Sequence, residues 1–233
     1  MQRQENVLGG HTAHIEPLDH ELQAEARQRL DSLTKPPGSL GRLERLAVQI
    51  VGITRSARPR LQRRTVFVLA ADHGVAVEGV SAYPASVTAE MVRNFARGGA
   101  AINVLARLAR ADVTVVDIGV AADLYTALPI VHRKVAFGTA NLMRGPAMTV
   151  EQAQAAIGVG LDLVREAQPR PDVICLGEMG IGDTTAASAI VAAFTGLPVA
   201  QVTGRGTGID DTTWAHTVAV IEQAPGLNRP DAA

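Results

Sequence analysis

The sequence predicts an α/β fold, namely a Rossmann-like parallel sheet with helices on both faces. Three short runs of aliphatic and β-branched residues, Thr65–Ala71, Val113–Ile118 and Val173–Leu176, are separated by segments with helical periodicity. These runs lack the alternation of polar and apolar residues typical of a half-exposed strand, so each is expected to be buried on both faces. Strands that alternate with helices favour parallel pairing through right-handed crossovers. With 233 residues, 47% of them hydrophobic, the chain is long enough to bury such a sheet.

The N-terminal part predicts helices only. Leucine and alanine recur every three or four residues over 18–33, and Asp19 is placed to cap that helix. Pro36–Pro37 must end it, because two prolines remove two backbone donors. A second amphipathic helix follows, still before any strand. We therefore expect a small N-terminal helical layer in residues 1–57 and an α/β nucleotide-binding domain in residues 58–233.

Further strands and helices complete the predicted domain. A fourth strand is predicted at Val199–Val202 and a weaker one at Ile130–Phe137. The helix at Thr149–Glu166 opens with a threonine and a glutamine at capping-box spacing. The other helices are predicted at Ser86–Arg97, Ala100–Arg110, Thr184–Phe194 and Thr212–Gln223.

Composition excludes several classes of protein. A net charge of −1 gives no general basic surface for nucleic acid, and 3% aromatic residues leave few side chains to stack on bases. The single cysteine, Cys175, excludes an intrachain disulfide or a multi-thiolate metal site, and its place in a predicted strand indicates the core. The N-terminal residues lack the apolar stretch of a signal peptide, and no apolar run is long enough to span a bilayer. We expect a cytoplasmic protein that binds neither nucleic acid nor membranes.

Glycine-rich loops follow two of the predicted strands, where ligands of open parallel sheets bind. In Gly177–Thr185, glycines would let backbone N–H groups approach a phosphate at a helix N-terminus. Asp183 stands where a P-loop has its lysine, which argues against a nucleoside triphosphatase. The alternative is a tight turn whose Asp183 or Thr184 only caps the helix. Thr203–Gly208 is a second loop of this kind, and two neighbouring loops favour a shared phosphate or ribose site.

Ionisable side chains lie at the same predicted rim. Glu178 stands between a strand and a glycine turn, where partial burial would raise its pKa and favour a general base. A carboxylate that accepts backbone N–H bonds is the alternative. Asp72 and His73 follow the first strand, and His73 is either a ligand contact or a structural histidine.

Several motifs together resemble the nicotinate-nucleotide–dimethylbenzimidazole phosphoribosyltransferases, a family of cobalamin lower-ligand assembly. The resemblance extends from about Leu18 to the last residue. The matching stretches are Lys35–Glu44, Ala71–Val75, Gly79–Pro84, Gly138–Asn141, Gly145–Thr149 and Gly177–Thr185.

The resemblance implies a reaction and a set of site residues. A benzimidazole nitrogen attacks the anomeric carbon of nicotinate mononucleotide, nicotinate leaves, and α-ribazole phosphate forms with inversion. The resemblance implies a homodimer, and it implies neither a cofactor nor a metal. Glu178 matches a glutamate beside the nucleotide, and its position after the predicted strand makes it the expected catalytic residue. The expected substrate-binding residues are Asp72, His73, Tyr83, Pro84, Met91, Gly180, Gly182, Thr184, Gly204 and Gly206; among them Tyr83, Pro84 and Met91 match the benzimidazole pocket, and the glycines match the phosphate loops.

Two features depart from the family pattern. The family's presumed base lies in a C-terminal Gly-Glu-Gly motif, which this sequence lacks, and Thr217 occupies a place where the family often has lysine. The missing segment would supply later strands, so an open sheet edge is expected. Three functions therefore remain: a phosphoribosyltransferase, a remnant that binds a mononucleotide or azole without turnover, and a partner-binding or structural module.

Overall fold

A computed structural model of the chain describes residues 15–124 and 128–228. Internal contacts divide the chain into two units, Met1–Gln62 and Arg63–Ala233. In the described ranges, no helix combines the length and the apolar composition needed to cross a bilayer.

The N-terminal unit contains the two predicted helices, α1 at His20–Asp31 and α2 at Arg42–Thr54. Asp19 caps α1, because its Oδ1 accepts a hydrogen bond from the backbone N–H of Leu22 at 2.9 Å. The predicted cap of this helix is confirmed.

The second unit contains a four-stranded parallel sheet in the order β3-β2-β1-β4. The strands are β1 at Arg64–Ala71, β2 at Asp112–Gly119, β3 at Val131–His132 and β4 at Val173–Met179. β1 is central, and its Val68 pairs with Val115 of β2 and Gly177 of β4. The predicted α/β class with a parallel sheet is confirmed.

Helices cover both faces of β1. On one face, Val68 belongs to a buried cluster with Val92 and Phe95 of α3 (Ser86–Ala96). On the other, Phe67 clusters with Leu163, which belongs to the helix at Val150–Glu166. The remaining helices are α4 at Ala101–Ala109, α5 at Val150–Glu166, α6 at Asp183–Thr195, α7 at Val199–Val202 and α8 at Asp211–Asn228, with a 3₁₀ turn at Gly74–Glu78.

Two predicted strands differ in the structure. Val199–Val202 is the short helix α7, not a strand; Thr203 Oγ1 donates to the Val199 carbonyl at 2.8 Å, and Ser188 Oγ donates to the Val202 carbonyl at 3.0 Å. A run of four residues with two valines has only a weak strand propensity, which tertiary contacts override. The predicted strand over 130–137 is reduced to the two residues of β3.

β4 forms one edge of the described sheet, since only β1 pairs with it. Cys175 and Leu176 are neighbours on β4 and point to opposite faces of the sheet; Cys175 is exposed, and Leu176 is 77% exposed. The prediction that Cys175 belongs to the core is wrong, because the apolar pattern of a strand does not reveal whether a neighbour covers it. The open sheet edge expected from the sequence is present in the described residues.

Candidate active site at the carboxyl ends of β1 and β4

The loop after β4 lies directly against the end of β1. A Cβ atom on Gly180 would stand 2.3 Å from the carbonyl oxygen of Ala71 and 3.1 Å from Cδ2 of His73, so no larger residue fits there. Gly182 follows with a left-handed φ of 91° and forms the N-cap of α6. Glycine at these two positions thus brings the β4 loop and α6 next to His73.

An acidic pair and an imidazole meet at this contact. His73 Nε2 lies 3.2 Å from Oδ1 of Asp183, the first residue of α6. Glu178, near the end of β4, is close enough to Asp183 for that carboxyl to raise its pKa. The sequence places these three side chains up to 110 positions apart, and the parallel pairing of β1 with β4 brings them together.

The surroundings shift the pKa values of Glu178 and Asp183 in opposite directions. Loss of solvent, followed by the hydrogen bond and charge of Asp183, raises the pKa of Glu178 to about 7, while the charge of His73 opposes the rise. The pKa of Asp183 is lowered, chiefly by its hydrogen bond to His73. Glu178 is an exposed residue at the sheet edge, and desolvation is nevertheless the largest cause that raises its pKa. A group that titrates near neutral pH is suited to proton transfer.

A cleft of about 440 Å³ opens beside this cluster, and both His73 and Asp183 line it. Its other polar side chains are Thr139 and Asn228, and most of the remaining lining is apolar, including Leu142, Met148 and Ile190. A cleft of this size and lining is typical of a small-molecule site that receives an aromatic ring.

The second glycine-rich loop lies beside the first. Gly206 has a left-handed φ of 46°, and a Cβ there would stand 2.8 Å from Thr184 Oγ1. Thr184, Thr203, Gly204, Gly206 and Thr217 line one narrow groove between the loops. The predicted association of the loops is therefore present, although the second loop follows α7 rather than a strand.

The Gly79–Pro84 segment is joined to this second loop by a threonine that the sequence analysis did not single out. Thr207 Oγ1 accepts a hydrogen bond from the Ala82 backbone N–H at 3.1 Å and lies 3.2 Å from Ser81 Oγ. Tyr83 is 54% exposed, and Pro84 follows it. Met91 of α3 is half-buried and packs against the core cluster of the sheet.

Asp72 points toward the loop after β2. Its Oδ2 accepts a hydrogen bond from the Ala121 N–H at 2.7 Å, and its buried Oδ1 has no hydrogen-bond partner among the described residues. Asp72 also lines a small cavity of about 110 Å³ at this end of the sheet. Asp72 therefore holds the β2 loop through Oδ2, while its Oδ1 could accept a further hydrogen bond.

A buried ion pair, also missed by the sequence analysis, holds that β2 loop. Lys134 Nζ lies 2.9 Å from Asp117 Oδ2, donates to the Val120 carbonyl and stands 4.6 Å from the centre of the Phe137 ring. The paired side chains are 6% and 1% exposed. In residues 15–124 and 128–228, no group of three or more His, Cys, Asp or Glu side chains is arranged to hold a metal ion.

Comparison with models of known protein families shows the family of this chain. The family model DBI_PRT, described as phosphoribosyltransferase, matches residues 15–233. The chain belongs to this family. The matched range includes both glycine-rich loops and the three residues His73, Glu178 and Asp183. The resemblance seen in the sequence motifs is confirmed.

Other members of the DBI_PRT family share its sequence and fold. The nicotinate-nucleotide–dimethylbenzimidazole phosphoribosyltransferase of Chloroflexus aggregans is 59% identical over 219 residues, which are 94% of this chain and 62% of that relative. The Geobacter sulfurreducens protein of the same name is 56% identical over 216 residues, 92% of this chain and 61% of the relative. The crystal structure of CobT from Thermus thermophilus matches with a TM-score of 0.85 at 45% identity, covering 91% of this chain and 63% of that one. The chain therefore spans about 62% of the length of such DBI_PRT relatives.

Proposed function

We propose that this chain carries a phosphoribosyl-transfer site of cobalamin lower-ligand assembly. The substrates are nicotinate mononucleotide and dimethylbenzimidazole, and the products are α-ribazole phosphate and nicotinate. Membership of the phosphoribosyltransferase family and the shared name of the relatives support this proposal. The same support extends to a glycosyltransferase-type enzyme.

The reaction balances with one proton acceptor. One azole nitrogen attacks the anomeric carbon with its lone pair, and the bond from that carbon to the pyridinium nitrogen breaks. The bonding electrons neutralise the pyridinium, so nicotinate leaves without a general acid. The other azole nitrogen loses its proton, which requires a base beside the ring. Alignment of the two reactants supplies much of the rate.

The observation that carries the proposal is the position of Glu178. Its pKa is raised to about 7 by loss of solvent and by Asp183, which lines the 440 Å³ cleft, and this value suits a base that takes up and releases a proton near neutral pH. We therefore assign Glu178 as the base.

The loops and the cleft offer contacts for the phosphate, the nucleotide and the azole ring. The N-terminal end of α6, with the hydroxyl of Thr184 next to Gly206 of the second loop, favours a phosphate near the two glycine-rich loops. His73 lines the cleft and would contact the nucleotide. The other proposed contacts are Gly180, Gly182, Gly204 and Gly206 with the phosphate loops, Tyr83, Pro84 and Met91 with the azole, and Asp72 with the rim of the sheet.

A product assay tests the proposal. The purified protein is incubated with nicotinate mononucleotide and dimethylbenzimidazole, and α-ribazole phosphate and nicotinate are measured by liquid chromatography and mass spectrometry. We expect both products in equal amounts, with Glu178→Gln as the negative control. A folded protein that binds both substrates, as shown by calorimetry, but forms no product would refute the transfer activity of these 233 residues.

We also propose a homodimer acting in the cytoplasm on small molecules. The family resemblance supports this assembly. Sedimentation equilibrium of the purified chain is expected to give twice the monomer mass of 24.4 kDa. A single species of monomer mass at micromolar concentration would contradict it.

A further inference from the structure

Helix α2 has apolar side chains on two opposite faces. One face lies against α1, where a Cβ on Gly52 would stand 2.7 Å from the side chain of Gln23. Val48, one turn earlier on the same face, is buried. Leu43 lies nine positions before Gly52, and at about 100° per residue it points in the opposite direction. The second face therefore turns away from α1.

The second face is a stripe of four large aliphatic residues, Leu43, Leu46, Ile50 and Ile53, called here the α2 stripe. Leu43 is 64% exposed, Leu46 40% and Ile53 59%, while Ile50 is half-buried. Single exposed leucines are ordinary, but a contiguous apolar row marks an interaction surface. The spacing of three, four and three positions is that of a helix that packs along a second helix.

The α2 stripe is complementary to a second copy of itself when the two helices run antiparallel. In that orientation Leu43 faces Ile53 of the partner subunit, and Leu46 faces Ile50 of the partner subunit. One register forms all of these pairs, because the spacing of the stripe is the same in both directions. Two-fold symmetry then makes the same surface both donor and receiver of the contact.

Charge favours this antiparallel orientation. Arg42 and Gln49 border the α2 stripe on one side, and Ala47 and Thr54 border it on the other. Parallel helices would place the Arg42 side chains of both chains at the same end. Antiparallel helices separate them and bring each Arg42 near the C-terminal end of the partner helix, where the helix dipole favours a cation.

We propose that the α2 stripe is a dimer interface, in which α2 packs antiparallel against α2 of a second copy of this chain. This surface belongs to the homodimer proposed above, on which the inference rests, and it does not depend on the transfer activity. Two pairs of α1 and α2 helices then form one four-helix bundle.

A charge exchange across the helices tests both the surface and its orientation. Leu43→Glu alone and Ile53→Lys alone each place a charge against an aliphatic side chain. Each is expected to raise the dissociation constant of the dimer at least about 10-fold in sedimentation equilibrium. The double variant Leu43→Glu/Ile53→Lys sets each glutamate opposite a lysine of the other chain, so it is expected to recover most of the lost affinity. Parallel helices would set like charges together and give no recovery.

Leu108→Glu on α4 is the matched control, because Leu108 is 84% exposed and lies outside the α2 stripe. This variant should keep the dissociation constant of the wild type. Circular dichroism checks that every variant retains its helices. A second measurement uses Leu43→Cys and Ile53→Cys, each with Cys175→Ser. Under mild oxidation the two proteins should form a disulfide-linked dimer when they are mixed, and neither should do so alone.

The results separate the interface from the other proposals. If the wild type is a dimer and the single variants keep its dissociation constant, the inference is overturned while the homodimer stands. Absence of both the recovery and the mixed disulfide also overturns it. A wild type that stays monomeric throughout a concentration series refutes both the interface and the homodimer. A dimer that shows the expected recovery but forms no α-ribazole phosphate supports the interface and refutes only the transfer activity.

Discussion

Thr207 Oγ1 accepts a hydrogen bond from the backbone N–H of Ala82 at 3.1 Å. This contact joins the second glycine-rich loop to the segment that holds Tyr83, two parts of the chain separated by 125 positions. Since Thr207 Oγ1 also lies 3.2 Å from Ser81 Oγ, one hydroxyl fixes the backbone of the proposed azole-binding segment.

Replacing Thr207 with valine should loosen that segment. The variant keeps the side-chain shape but loses the hydroxyl, at a cost of about 1 kcal/mol. We expect dimethylbenzimidazole to bind about 3- to 10-fold more weakly by calorimetry. Thr54→Val, which removes an exposed hydroxyl bonded within α2, is the matched control and should leave this affinity unchanged. If Thr207→Val binds dimethylbenzimidazole as tightly as the wild type does, the Gly79–Pro84 segment is not part of the azole site.

Glu178→Gln should abolish proton transfer without disturbing the fold. The amide has nearly the shape of the protonated carboxyl, but it cannot accept the azole proton. We expect kcat to fall by about 10²- to 10⁴-fold, with the affinity for nicotinate mononucleotide nearly unchanged. Glu25→Gln, an exposed change on α1, serves as the control. Full turnover in Glu178→Gln would show that another group is the base.

The activity of the wild type should depend on pH near neutrality. Glu178 acts as a base only when ionised, and its pKa is raised to about 7, so kcat/KM should fall as the pH decreases through that value. An unperturbed glutamate would instead keep its activity down to about pH 4.3. Initial rates between about pH 5 and 9 measure this decrease in kcat/KM. A profile that stays flat across that range would contradict the assignment of Glu178 as the base.

Gly180→Ala should distort the junction of the β1 and β4 loops. The added methyl group would meet the Ala71 carbonyl at 2.3 Å, so the backbone must move. We expect the free energy of unfolding to fall by about 1–3 kcal/mol and turnover to be lost. Gly158→Ala in α5, where a Cβ meets nothing within 4 Å, should instead raise stability by about 0.5–1 kcal/mol. Urea unfolding compares the two variants, and equal stability would show that the loop relaxes freely.

Lys134→Met should be strongly destabilising. It leaves Asp117, whose side chain is 1% exposed, as a buried carboxylate without its counter-ion, at a cost of about 3–5 kcal/mol. The adjacent change Arg133→Met breaks an exposed pair with Glu166 and should cost less than about 1 kcal/mol. If urea denaturation gives similar losses for both, the buried pair does not hold the β2 loop.

The sequence determined the class of fold because its signals are local. Continuous apolar runs marked β1, β2 and β4, and an aspartate before the first leucine repeat marked the start of α1. The glycine pattern at Gly177–Thr185 likewise predicted a loop with a close backbone approach, which needs glycine whatever surrounds it. Such features depend on residues within one or two turns of each other.

Only the tertiary structure decided which elements meet. Val199–Val202 has a strand-like composition, yet it forms α7 because no strand pairs with it. Cys175 lies in an apolar run typical of the core, yet it is exposed, because burial of a strand depends on which elements pack over its faces. The partners of Glu178 also depend on strand order, since the parallel pairing of β1 with β4 places His73 against Asp183. Strand order is fixed by packing over long sequence separations, and that information is not written in any single segment.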